Sequence, residues 1–432
     1  MSPVAIAIIG IVVMLVLMFL RMPVGFAMGF AGFLGMAYFV SAKAAFHMLS
    51  ADVWGEFWSY GLSVIPLFIL MGEITFHSGI SISLYDAAYK WLGRLPGGIA
   101  ITTILASTGF AAVCGSNSAT AATMGTIALP EMKKYNYDKA LSAGCVASGG
   151  TLGVLIPPSV VLIVIGLQTE QSIARLFVGS IFPGLILAVL FVITILVLCR
   201  RNPALGPAGP SFSFKEMVAS LPGVAAILIL FLFVISGLYL GWFTPTEAGA
   251  AGAFGAIVIA LAMRKLTWQK FKDALIETLP ISCMVMVLVT GAVMFGRFLT
   301  VTRLPFMVAD WASALPIPNV AILACIFIVY LIGGCIMDAL GFLVVTIPIF
   351  FPLAMALGYD PVWYGVAICL VTSMGAITPP VGVCAYVVAG IDKSIPIQTI
   401  FKGVTFFLVA YVFCIVIVTA FPQIILFLPS LR

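Results

Sequence analysis

The sequence predicts an all-α polytopic membrane protein made of two inverted-topology repeats, each containing a re-entrant hairpin and a broken helix. Three observations predict it. Of the 432 residues, 63% are apolar and only 8% are charged, whereas soluble domains carry about 25% charged residues. Stretches of span length recur along the whole chain: Val4–Leu20, Val24–Val40, Leu176–Cys199, Ala225–Leu240 and Val404–Phe421. The chain also matches itself at a single offset, without a gap, at positions where helices must break.

The offset is 222 positions, which carries Pro23 onto Pro245, Pro96 onto Pro318, Pro130 onto Pro352 and Pro157-Pro158 onto Pro379-Pro380. With proline usage of about 5%, roughly one such coincidence is expected by chance. Tyr137-Asp138 with Tyr359-Asp360, and Gly153 with Gly375, obey the same offset. The first repeat is read as residues 1–205, with a hairpin at about 98–130 and a broken helix at about 140–168. The second is 217–432, with its hairpin at about 318–352 and its broken helix at about 361–389. Residues 206–216, within the polar stretch Arg201–Phe214, form a cytoplasmic linker. Each half reads as three spans, a hairpin, a broken span and a final span. Five full crossings per half is an odd number, so the second half is inserted upside down.

Charge sets the orientation, because lysine and arginine collect on the cytoplasmic side. With Met1 periplasmic and ten crossings, Arg21, Lys90, Arg94, Lys133, Lys134, Arg200, Arg201, Lys265 and Lys270 all fall inside. Only Lys43, Arg175, Arg303 and Arg432 remain outside. Both termini are therefore expected in the periplasm. The net charge of +5 suits loops facing anionic lipid, and no nucleic-acid partner is expected. Nine cysteines stand singly, without CxxC, and read as apolar packing residues. His47 and His77 are the only histidines, with no HExxH and no carboxylate-histidine cluster visible, which removes most metalloenzyme readings.

The breaks carry the chemistry. In Ala147–Ser159 (ASGGTLGVLIPPS) two prolines lack N–H groups, so carbonyls of Thr151–Ile156 lose their helical donors. Inside a bilayer this is tolerated only where protein or a cavity re-satisfies them. Free carbonyls are hard oxygen ligands suited to a small cation such as Na⁺. Thr372–Val381 (TSMGAITPPV) repeats the pattern. Each break has a hairpin partner, with polar tips CGSNSAT (Cys114–Thr120) and LIGGCIMDALG (Leu331–Gly341); at the common offset Ser116 falls on Asp338. A carboxylate in such apolar surroundings is functional by default. Small-residue seams for helix packing explain isolated glycines, but not two polar tips each followed by a Pro-Pro break. Inverted repeats with coinciding helix breaks mark secondary transporters. Arg297 is placed near a span end, to meet an anionic substrate, snorkel to the interface or pair with Asp338. Glu73 reads as a polar contact between spans, and Glu56, Trp54 and Trp58 as interfacial residues.

At these residues the sequence resembles a known family. Gly115–Gly144 (GSNSATAATMGTIALPEMKKYNYDKALSAG), Gly149–Ser159, GGCIMDALG and MGAITPPVG closely resemble the large membrane (M) subunit of the tripartite ATP-independent periplasmic (TRAP) transporters, over essentially the full length. The resemblance implies an elevator-type importer of the bacterial inner membrane, coupled to two or more Na⁺ ions. It also implies two partners, a small four-helix membrane subunit and a periplasmic substrate-binding protein that delivers an organic acid. Carried over by motif, one sodium site would use Cys114, Ser116, Gly153, Ile156 and Pro158. The other would use Gly333, Gly334, Gly375 and Thr378, with Met337 or Met374 adding carbonyls. Many relatives have serine where Cys114 stands, and a thiol is a poor Na⁺ ligand, so only its carbonyl can serve. Substrate is expected near Asn117, Ser159, Asp338 and Arg297. Sialic acid, C4-dicarboxylates and sugar or keto acids all stay open as substrates. A binding-protein-independent dicarboxylate carrier is the nearest alternative. A channel would need a continuous polar pore, an enzyme a nucleophile-base or metal constellation, and a scaffold would not need matching breaks.

Overall fold

A computed structural model describes residues 2–431; Met1 and Arg432, which entered the charge pattern, lie outside the described residues. Those residues form twenty α-helices and three short 3-10 turns, with no strand among them. The first half runs α1 (Pro3–Phe19), α2 (Val24–Phe39), α3 (Ala42–Phe57), α4 (Val64–His77) and α5 (Ile80–Leu92). A helical hairpin follows, α6 (Gly98–Cys114) and α7 (Asn117–Lys134). Next come α8 (Lys139–Gly150), a 3-10 turn (Thr151–Val154), α9 (Val160–Gln168) and the long α10 (Ile173–Arg201). The second half runs α11 (Phe214–Tyr239), α12 (Pro245–Ala262), α13 (Trp268–Val301) and α14 (Leu304–Ser313). Its hairpin is α15 (Asn319–Ile336) and α16 (Ala339–Ala356), and its interrupted helix α17 (Pro361–Gly375) and α18 (Val383–Ile391). The chain finishes with α19 (Ile397–Ala420) and α20 (Gln423–Ser430).

Helix boundaries recur at the sequence offset. α7 and α16 begin and end 222 residues apart, at 117 and 339 and at 134 and 356. The repeated Tyr-Asp pair has a mechanical reason. Asp138 caps α8 by accepting from Leu141 N at 2.9 Å, and Asp360 caps α17 by accepting from Val362 N at 2.8 Å. Both satisfy donors that a helix start leaves bare. Both Pro-Pro peptide bonds are cis. One difference between the halves is that α3 and α4 meet at a 54° bend, where the second half has the unbroken 34-residue α13.

Among the described residues, seven helices are long and apolar enough to cross a membrane, eight with the bent α3–α4 pair; α1, α2, α6 and α17 are shorter apolar helices. α15 and α16 each reach that length separately, so length does not distinguish a re-entrant hairpin from two crossings here. Only a third of the apolar window of α10 is buried. Leu185, Val189, Ile193 and Val197, four residues apart, form its exposed stripe, as a lipid-facing surface requires. The linker is docked, not loose: Gly97 N donates to Gly206 O (2.9 Å), Asp138 N to Leu205 O (3.0 Å) and Gly209 N to Gly93 O (2.8 Å). α11 already begins at Phe214, inside the expected linker. Six of the nine cysteines are buried, and Cys283 and Cys325 lie exposed on apolar helices.

Candidate functional site

Each hairpin tip packs onto the interruption of the helix that follows it. Gly153 lies so close to the first tip that an added Cβ would run into the Ser116 carbonyl and stand 2.7 Å from Thr120 Oγ1. Gly115, at φ +67°, leaves 2.9 Å between such a Cβ and Pro158 O. One side chain ties the two segments together: Asn117 Oδ1 accepts from Val154 N at 3.0 Å. Thr120 Oγ1 donates to Ser116 O at 2.7 Å, and Ser116 caps α7 by accepting from Ala119 N at 3.5 Å. Behind the interruption, Tyr411 Oη and Thr151 Oγ1 are 2.6 Å apart, and Thr151 Oγ1 donates to Ser148 O at 2.6 Å.

The carbonyls of Gly153, Ile156 and Pro158 accept no hydrogen bond among the described residues. They are the bare oxygens that a small cation needs, whereas Cys114 Sγ is turned toward Ser116 O at 4.0 Å. The second junction differs. A Cβ on Gly375 would stand 2.5 Å from the Gly334 carbonyl carbon, so the approach is as tight. Yet Gly375 O already accepts from Thr378 N (2.9 Å), and Gly333 O from Met337 N (2.9 Å). The carbonyls of Gly334 and Thr378 keep both lone pairs, those of Gly333 and Gly375 one each. Thr378 Oγ1 donates to Met374 O at 2.7 Å. Pro157 and Pro158 are buried, while Pro379 and Pro380 are exposed.

Both tips border one cavity of about 570 Å³, lined among others by Glu73, Cys114, Ser116, Asn117, Glu277 and Asp338. α7 and α16 both start here, capped by Ser116 and Asp338, so the positive dipole ends of two helices lie at the cavity. Asp338 caps α16, accepting from Leu340 N at 3.1 Å, and is reached from the cavity. No lysine or arginine lines it. Ser159 is fully buried and spends its hydroxyl as the cap of α9, accepting from Leu162 N at 3.4 Å.

Arg297 is elsewhere. Its guanidinium pairs with Asp52 at 2.9 Å, not with Asp338, because α13 carries it away from the tips. It lines a second, larger cavity of about 940 Å³ with His47, Glu56, Gln168 and Glu170. Twenty residues separate Glu277 from Arg297 on α13, a rise of about 30 Å that matches the hydrocarbon thickness of a bilayer. The two cavities therefore lie toward opposite ends of one spanning helix, and the hairpin tips border the smaller one. Trp54 and Trp58 are exposed and stacked 5.6 Å apart.

Sequence reading missed two groupings. Asp52, buried at 2% exposure, gave no signal beyond being an acid in an apolar helix. The absence of a carboxylate-histidine cluster was also wrong. His77 Nε2 lies 3.7 Å from Glu73 and 3.2 Å from Glu277. The Glu73/His77 spacing of four, one helical turn, was visible; Glu277 comes from α13, two hundred residues on, and only folding brings it near.

Comparison with known proteins agrees on one family. The family model for the tripartite ATP-independent periplasmic transporter, DctM component, matches residues 11–424. The C4-dicarboxylate TRAP transporter large permease DctM of Pseudomonas aeruginosa is 35% identical, covering 86% of each chain. The sialic acid TRAP transporter large permease SiaM of Vibrio cholerae is 30% identical over 96% of each. The 2,3-diketo-L-gulonate permease YiaN of Escherichia coli is 32% identical over 78% of this chain and 79% of its own. These relatives are permeases, not enzymes. In fold, the chain is similar to the Alcanivorax borkumensis YdaH transporter, with a TM-score of 0.60 at 15% identity over 88% and 89% of the two chains.

Proposed function

The chain belongs to the DctM component family of the tripartite ATP-independent periplasmic transporters, and from that premise we propose that it carries an organic acid into the cell together with sodium. The observation that carries this reading is the cavity between the two tips: three carboxylates, two helix N-termini and no basic side chain. An organic anion is accommodated there only if cations enter with it. The bare carbonyls at the two junctions are hard oxygen donors suited to sodium, which is co-transported cargo here. Gly153, Ile156 and Pro158, with the Ser116 hydroxyl because the Ser116 carbonyl is taken by Thr120, would hold one ion and Gly334 and Thr378 another, with Gly333 and Gly375 contributing their second lone pairs.

In the proposed mechanism the two halves, 1–205 and 217–432, are inverted repeats. The hairpins and broken helices move as one body against α2, α4, α12 and α13, in the manner of an elevator. With both termini periplasmic, Glu277 is at the cytoplasmic end of α13 and Arg297 at the periplasmic end. The cavity at the tips then belongs to the inward side, and the cavity at Arg297 receives substrate from outside. Arg297, 57% exposed at its side chain, would meet the incoming anion there, before it reaches the tips. Inner-membrane placement, a small four-helix subunit and a periplasmic binding protein complete the assembly. The three relatives compared above carry C4-dicarboxylates, sialic acid or a diketogulonate by name, so small carboxylates are the substrates to try.

Proteoliposomes holding the chain with its small subunit and binding protein test the reading. Uptake of a carboxylate bound by that binding protein is expected under an inward sodium gradient and is expected to stop when potassium replaces sodium. Undiminished uptake in potassium overturns the sodium coupling.

A further inference from the structure

Glu73 and His77 stand on one face at the end of α4, and Glu277 faces them from α13. We infer that these three side chains bind a divalent transition-metal cation in the wall of the smaller cavity. One ligand atom from each lies within 4.8 Å of the others. Ligands about 2.1 Å from a tetrahedral ion are about 3.4 Å from one another. The His77 Nε2 separations, 3.2 Å to Glu277 and 3.7 Å to Glu73, bracket that spacing before any metal is added.

The donor atoms point the same way. His77 Nε2 is buried and makes no hydrogen bond, although carboxylates of Glu73 and Glu277 flank it. Imidazole with two carboxylates favours a transition-metal dication over sodium, magnesium or calcium, which prefer oxygen alone. Three protein ligands leave a fourth position open. Glu73 and Glu277 both border the cavity, so that position faces it. Charge supplies a reason for the site: two carboxylates close together, in a cavity without a basic lining residue, are offset by one dication. The inference concerns binding alone and does not rest on the transport reading.

The test is titration of the purified full-length chain with Co²⁺. Expected is the visible d–d absorption of four-coordinate cobalt, saturating at one equivalent per chain and displaced by Zn²⁺, without the ultraviolet thiolate band that cysteine ligation would produce. His77→Gln and Glu277→Gln are each expected to weaken binding by at least about tenfold, the scale on which even outer partners of a metal ligand act. Glu277 is half-exposed, so its amide variant keeps a folded reference should His77→Gln misfold. Absence of the d–d bands, bands retained by a folded variant, or a thiolate charge-transfer band each overturns the inference.

Discussion

Gly153→Ala isolates the junction between the first tip and its interruption. The added methyl would run into the Ser116 carbonyl and the Thr120 hydroxyl. Gly153 is not in the left-handed region, so alanine costs nothing in backbone conformation and the effect is purely steric. Ordinary carbon–oxygen contacts begin at about 3.3 Å, and the tip must retreat by about 1 Å to reach one. Overpacking of this kind costs about 1–3 kcal/mol. Ion ligands tolerate only about 0.2 Å of misplacement, so a cage with walls at Ser116 and Gly153 is broken by that retreat. Sodium-dependent thermal stabilisation of the purified chain reads this directly, as does the sodium concentration for half-maximal uptake. A coupling of 1–3 kcal/mol corresponds to about a 5–150-fold rise in that concentration. Gly291→Ala is the control, since its methyl would run into the Gly25 backbone in the α2–α13 seam, remote from the tips. It should lower stability to a similar degree with sodium dependence unchanged. A folded Gly153→Ala chain with normal sodium dependence refutes the reasoning, and so does an equal shift in both variants.

Three further outcomes are expected. Ser116→Ala and Thr378→Val should each raise the sodium requirement of uptake, and unchanged dependence in both variants removes the site assignment. Asn117→Ala deletes the acceptor for Val154 N–H, costing about 0.5–1.5 kcal/mol; amide exchange at Val154 should quicken in that variant but not in Asn117→Asp, which keeps the oxygen. Arg297→Gln leaves Asp52, whose side chain has no exposure, as an unpaired buried carboxylate, so it should lower the melting temperature more than Asp52→Asn does. The double variant should recover part of the loss, and strict additivity would show that the pair is not coupled.

The fold was legible because its determinants are local or periodic. Span length, proline position and the constant offset are read from the order of residues, and the stretches they mark lie within a few residues of α6 to α9 and α15 to α18. Junction partners were legible for the same reason: Asn117 and Ser116 precede Gly153 by fewer than forty residues, and Asp338 shares the offset. What escaped were contacts between helices distant in sequence. Asp52 and Arg297, and His77 and Glu277, belong to α3, α4 and α13, and nothing in a single sequence records how these pack. Ser159 shows the reverse case. Its motif neighbours suggested substrate, but its hydroxyl caps α9 inside the protein, a role that any helix start beginning with serine can impose. The bend between α3 and α4 also broke the symmetry of the repeat, because it depends on packing and not on a proline shared with α13.

The electrostatics of the two cavities give the asymmetry of the ends a physical sense. At the tips, two helix N-termini supply about half a unit charge each, against the carboxylates of Glu73, Glu277 and Asp338. Without a bound dication these carboxylates outweigh the two N-termini, so the wall is acidic and repels an organic anion that arrives alone. At the other end of α13, Arg297 is bound to Asp52 but more than half-exposed to the larger cavity, so a guanidinium faces the space there with its counter-charge buried behind it. At the Arg297 end a guanidinium is on offer to an anion, beside the carboxylates of Glu56 and Glu170, whereas the tips offer none and hold an anion only in the company of cations. In the proposed transport cycle this difference makes sodium a condition of occupancy at the tips, and not merely a source of drive.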